Sequence, residues 1–228
     1  AVDRATMRVG RRLAVKLLNV TKLVLRTGPL DGLAEDAPID RALLGRLAEV
    51  IEIATEGFEA YDYQTALDHV EAFFWDFCNN YVELVKTRAY DTGPTSVAAR
   101  RTLATALDVL TRLLAPFLPF VAEEVWSWWH ESSVHRTAWP TVAELTDGDR
   151  TDDDLLALEV AVEVLGAVRR SKTEVKRSLR TTAERVTVVD TEERLAALRS
   201  AESDVRAAGV IVELLTEASE GSSVEVQL

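Results

Sequence analysis

This chain is poor in residues that cross-link or interrupt a backbone. It has one cysteine, six prolines and ten glycines in 228 residues. The lone Cys78 can close no internal disulfide, which excludes a disulfide scaffold and fits a reducing, cytoplasmic setting. So few breakers predict long, uninterrupted elements. No apolar run approaches the roughly 18 residues that span a membrane. The N-terminus also lacks the apolar core of a signal peptide. There is no phosphate-binding glycine loop, no dinucleotide fingerprint and no serine elbow. His130 and His135 stand at no metal-ligand spacing with cysteine, and Cys78 lies in a bulky apolar stretch unsuited to a nucleophile. No metal site and no catalytic centre are expected within these residues.

What is present is a folded core and an uneven distribution of charge. Apolar residues make up 47% of the chain, and the formal net charge is -12. Its length allows one large core, or a large and a small domain. Against the acidic total, Arg4, Arg8, Arg11, Arg12, Lys16, Lys22 and Arg26 crowd the first 26 residues with Asp3 as their only acid. At about 100° per residue these cations fall within roughly 140° of one helix face. Leu13, Leu17, Val20 and Val24 gather opposite. A one-signed stripe without acids at i,i+4 is costly as a solvated face. On an acidic protein it points to a polyanion, and RNA is the natural one. Asn19 lies inside the arc with an amide that can meet a base edge.

The breakers divide the rest. Residues 1–27 predict a helix about 40 Å long, stopped by Gly28-Pro29. Helices follow over 40–59, 62–90 and 95–115, then a short one over 121–129 after Pro116 and Pro119. Short connections predict an antiparallel bundle. Residues 143–154 form an acidic linker and the best boundary. A helix over 155–177, a strand over 185–190, a helix over 191–207 and strands over 210–215 and 224–228 complete the chain. The expected fold is therefore mainly α: a helical bundle over 1–142, the linker, then a small α+β domain over 155–228.

A second basic cluster lies at Arg169, Arg170, Lys172, Lys176, Arg177, Arg180 and Arg185. Cations near a helix C-terminus also complement its dipole, yet two separated patches suggest a ligand long enough to touch both. Between them, Asn79 and Asn80 follow an aromatic stretch, where amides beside rings suit splayed bases. Lys86 and Arg88 continue that segment toward phosphates.

Several blocks carry a resemblance. Met7 to Leu25 resembles the opening helix of the anticodon-binding domain of class I aminoacyl-tRNA synthetases, in the branch of the valyl, isoleucyl and leucyl enzymes. Phe73 to Lys86 resembles the next shared block. Leu113-Leu114-Ala115-Pro116-Phe117-Leu118-Pro119-Phe120-Val121-Ala122-Glu123-Glu124-Val125-Trp126 resembles a third, the most specific of the set. Ser133 to Pro140 resembles a fourth, whose His135-Arg136 pair looks more valyl than isoleucyl. Val168 to Val188 looks like the start of the family's small C-terminal domain. Where this chain has Asn79 and Asn80 the family usually shows an acid and a tryptophan. The family's two ATP-site signatures, its editing insertion and its long coiled-coil arm are absent.

The resemblance implies a tRNA-binding part of a larger, monomeric, cytoplasmic enzyme. ATP and magnesium would serve the parent's upstream catalytic domain, with no cofactor in this part. By that resemblance the first helix lies against the anticodon loop, with Arg8, Arg11, Arg12, Lys16 and Asn19 as expected RNA contacts; the residues' own pattern adds Asn79, Asn80, Lys86, Arg88, Arg169, Arg170, Lys172, Lys176, Arg177 and Arg180. Two rivals remain at this stage. One is the same region of an isoleucyl or leucyl enzyme. The other is a helical scaffold whose basic helix docks on an acidic protein.

Overall fold

The computed structural model describes residues 4–145 and 151–228, with side chains from Met7 onward in the first helix. The start of the expected first helix and residues 146–150 of the acidic linker lie outside the described residues. The fold is mainly α, with a small three-stranded sheet in the C-terminal third. Long helices form where the sequence lacks breakers: α1 (Arg4–Val24), α2 (Pro38–Glu59), α3 (Tyr63–Asp76), α4 (Val82–Tyr90), α5 (Pro94–Leu114) and α6 (Pro119–Trp126). The later elements are α7 (Asp152–Glu174), β1 (Ala183–Asp190), α8 (Glu192–Ser200), α9 (Glu202–Gly209), β2 (Ile211–Ala218) and β3 (Ser223–Gln227).

Two helices differ from the sequence expectation. The helix predicted over 62–90 is divided by a π-helical turn, Phe77–Tyr81. That turn adds a residue to the pitch while keeping Phe77, Cys78 and Tyr81 buried. The helix predicted over 191–207 bends at Ala201 (φ -115°, ψ 7°). The bend lets Leu195, Leu198, Ala201 and Val205 all bury.

Contacts group the chain into two compact units. The first comprises Ala1–Pro29, Leu44–Cys78 and Arg100–Asp147; the second comprises Leu30–Leu43, Asn79–Ala99 and Gly148–Leu228. The first is a helical bundle. Leu13, Leu17, Val20 and Val24 of α1 are buried, as the helical period requires. They share the core with Leu47 and Ile51 of α2, Phe73 and Phe74 of α3, and Leu103, Leu107 and Leu110 of α5. Phe58 gathers Tyr63, Phe117 and Trp139 with ring centroids 5.2, 5.7 and 5.0 Å away. Trp139 Nε1 donates to Thr55 Oγ1 at 2.9 Å, so its polar edge is satisfied within the cluster.

In the second unit the strand order is β2-β1-β3. β1 and β2 run parallel, Val186 opposite Leu214, joined by α8 and α9 as the crossover that parallel pairing demands. β3 returns antiparallel, Val226 opposite Val186. α7 packs against this sheet and the crossover helices, burying Leu158, Ala161, Leu165 and Val168. Thr151 caps its start: the hydroxyl accepts from the Asp154 amide and the Asp154 carboxylate accepts from the Thr151 amide.

Asp154 and Asp190 are both buried. Burial alone would raise them; hydrogen bonds from Arg41 and Thr151 hold Asp154 below its ordinary value, and those from Arg194 and Thr191 do the same for Asp190. A carboxyl lowered by folding contributes stability that is whole above its unfolded value, near 4. That contribution is lost as pH falls through the folded value. The urea midpoint is therefore expected to fall steadily below about pH 4, and Asp190→Asn should flatten part of that acid limb. An unchanged limb in the variant would remove Asp190 from it.

Candidate nucleic-acid interface

α1 presents its cations as the period predicts. Arg8, Arg11, Arg12, Asn19, Lys22 and Arg26 are exposed, and Lys16, at the edge of the arc, is half-buried. Among the described residues no ion pair involves Arg11, Arg12 or Arg26. Arg8 and Lys16 each interact within the protein. Lys22 lies 5.5 Å from the centroid of the Trp128 ring, a cation–π approach inside the bundle. The bundle's own carboxylates thus leave the middle of the stripe open. The helix ends at Thr27-Gly28-Pro29, where Gly28 adopts φ 127° beneath the Arg100 guanidinium. A side chain there would be strained and would press on that guanidinium, 3.1 Å from a built Cβ.

In the second unit the predicted cations divide into two kinds. Arg88 is an internal clamp. Its guanidinium donates to both oxygens of Asp40 at 2.8 and 2.9 Å and, through Nε, to Asp204 at 3.0 Å. Asp40 also accepts from the Tyr81 hydroxyl at 2.6 Å. Burial would lower Arg88, but the two aspartates raise it, so it stays charged. Burial raises Asp204 despite Arg88. Burial also raises the Tyr81 hydroxyl, and Asp40 adds to the shift. This guanidinium is committed to its own protein, which corrects its reading as an RNA contact.

Lys172 needs the same correction. Only 1% exposed, it donates its ammonium to the carbonyls of Gly209 at 2.6 Å and Leu179 at 3.2 Å. A phosphate outside cannot be met from that position. Arg169 donates to the Asn79 backbone carbonyl at 2.8 Å and pairs with Glu83 at 3.6 Å. Lys86 also pairs with Glu83, at 2.5 Å, and Arg185 pairs with Glu213. Asn79 is exposed, Asn80 half-buried, and both already interact within the protein. Arg170, Lys176, Arg177 and Arg180 remain exposed, outside every ion pair among the described residues. Cys78 is buried, which pushes its thiol up to about 12 and leaves it inert.

The sequence could not separate these two kinds of cation. Arg88 and its partners Asp40 and Asp204 are 48 and 116 residues apart, and no local pattern links them. The uninterrupted helical run of Arg169 and Lys172 carried a weak hint: both share a face with Leu165 and Val168, which are buried.

A sequence profile described as the anticodon-binding domain of tRNA ligase matches residues 40–188. The chain belongs to that family. The chain is 45% identical to the valine–tRNA ligase of Salinispora tropica over 95% of its own length, and 44% identical to that of Thermobifida fusca over all of it. It is 39% identical to the Bifidobacterium longum valine–tRNA ligase over 98% of its length. It spans about a quarter of each relative, 26–27%. The family match begins at Asp40 and so leaves out α1, although the relatives align with nearly the whole chain.

Replacing Arg88 by methionine would strand two buried aspartates. Loss of one partner from a buried ionic network costs about 3–5 kcal/mol. Chemical denaturation of Arg88→Met should read a loss of that order, and adding Asp40→Asn and Asp204→Asn should recover much of it. A near-neutral Arg88→Met would show the clamp to be dispensable.

Proposed function

We propose that this chain is the tRNA-docking part of a valine–tRNA ligase, seating the anticodon arm so that a catalytic domain elsewhere in the parent enzyme can charge the 3′ end. The observation that carries this reading is the exposed middle of the α1 stripe, Arg11 and Arg12, in a chain whose residues 40–188 match the anticodon-binding family. An acidic protein that displays Arg11 and Arg12 outside every ion pair among the described residues has a surface suited to phosphates. Valine is supported by the name shared by the relatives above.

The work of this part is positional. Arg8, Arg11 and Arg12 meet backbone phosphates and set the register, while Asn19 is placed to meet a base edge. Asn79 and Asn80 already interact within the protein and take a secondary role. The exposed acidic face of α2, with Glu49, Glu52, Glu56 and Glu59, repels the polyanion from wrong seats. ATP and magnesium belong to the parent's chemistry and bind elsewhere. The parent acts as a cytoplasmic monomer. Among the described residues no helix is long and apolar enough to cross a membrane.

If about four phosphates are neutralised, log affinity for tRNA against log salt should fall with a slope near -3. Arg11→Glu with Arg12→Glu should cost about tenfold or more in affinity while helical circular dichroism is retained. A salt-insensitive affinity, or an unchanged one in the double variant, would reject the α1 face. Competition between valine, isoleucine and leucine tRNAs tests the specificity; equal binding of all three would reject a valine-specific surface in this chain.

A further inference from the structure

The chain's last aromatic residue is Trp139, and residues 140–228 contain no phenylalanine, tyrosine, tryptophan or histidine. Single-stranded bases are held by stacking on such rings or on guanidinium planes, joined to hydrogen bonds at base edges. The C-terminal segment therefore offers no aromatic platform, yet it carries the second group of exposed cations.

That group has a defined shape. α7 closes with a left-handed residue at Lys176 (φ 56°). The Arg177 amide donates to the Lys172 carbonyl at 2.8 Å and the Lys176 amide to the Thr173 carbonyl at 2.9 Å. These are the two bonds of a helix-closing motif that usually holds glycine. A lysine there accepts backbone strain that glycine would avoid. Beyond it, the Thr181 amide donates to the Ser178 carbonyl at 2.9 Å and the Arg180 amide to the Ser178 hydroxyl at 3.2 Å. From beneath, the Lys172 ammonium ties the Leu179 carbonyl of this loop to the Gly209 carbonyl that ends α9. Lys176, Arg177 and Arg180 thus project from a loop fixed at both ends and in the middle, with Arg170 one turn and a half back along α7. An open cleft of about 680 Å³ adjoins it, with Arg177, Thr181 and Thr182 on its wall; Glu174 and Glu184 also line it and mark where the cationic surface ends.

We propose that the loop over 175–182, together with Arg170, is a sequence-blind grip on the phosphodiester backbone of an RNA stem, with Lys172 as the positioning residue that sets its shape. This deepens the tRNA-docking reading and rests on it. Contacts from arginine, lysine and hydroxyl donors to sugar and phosphate fix register and carry no direct base readout. Base recognition in this chain then falls to the first unit.

The test uses the full chain with two RNAs, a valine tRNA and a short hairpin of unrelated stem sequence. Lys176→Glu, Arg177→Glu and Arg180→Glu together should weaken both by the same factor, about tenfold or more at low salt, and flatten the salt slope by about 2–3. Lys172→Met should weaken both in the same ratio and flatten the slope while circular dichroism is kept. Loss for the tRNA alone, no loss for either RNA, or displacement of the hairpin by polyglutamate of equal charge would overturn the proposal. An unchanged slope in Lys172→Met would overturn the positioning role. If the triple variant binds as the parent does while Arg11→Glu/Arg12→Glu still weakens tRNA, the grip fails and the docking reading survives. If the unaltered chain binds neither RNA, both fail.

Discussion

The second unit depends on one guanidinium that answers two buried carboxylates. Arg88 lies on α4, Asp40 at the start of α2 and Asp204 in the first turn of α9. Without that cation, two negative charges would face each other in a medium that screens them poorly. With it, three stretches distant in sequence are held at hydrogen-bonding distance. The hydroxyl of Tyr81 and the amide of Ala37 fill the remaining places on Asp40. The arrangement is a directional lock: apolar packing is indifferent to small slides, whereas five donors in a fixed plane are not.

The same logic recurs where α7 ends. Lys172 is a buried ammonium with no carboxylate partner among the described residues; it satisfies itself on two carbonyl oxygens instead. Burial lowers its affinity for a proton, and the nearby Arg169 adds to that. Arg194 shows the solvent-side version, joining Asp190 at 2.9 Å to Glu159 and Glu163 of α7. Arginine and lysine in this protein therefore serve two populations, one structural and one displayed, and only burial and partners tell them apart.

Much of the architecture is legible in the sequence. The α1 stripe was legible because one helix face is a local property: Leu13, Leu17, Val20 and Val24 buried where a 3.6-residue period put them. β1 was legible from its β-branched run, and the α+β character of the last third from the strand candidates on either side of a helix that Gly209 ends. The candidate site was legible only in part. Arg11, Arg12, Arg170, Lys176, Arg177 and Arg180 stand at the surface, but Arg88 and Lys172 look the same in sequence and lie inside. Their fates are decided by Asp204 and Gly209, which no short-range pattern connects to them. The π turn at Phe77–Tyr81 was likewise invisible, since Phe-Cys-Asn-Asn-Tyr contains no proline or glycine to announce it.

That turn has a consequence for how the family can vary. Each residue advances an α-helix by about 100°, whereas the wider turn at Phe77–Tyr81 takes up one more residue over nearly the same rotation. Removing a single amino acid there would restore regular pitch and leave the facing of Arg88 toward Asp40 nearly unchanged. The Arg88 clamp is therefore insulated from a change of one residue in that turn.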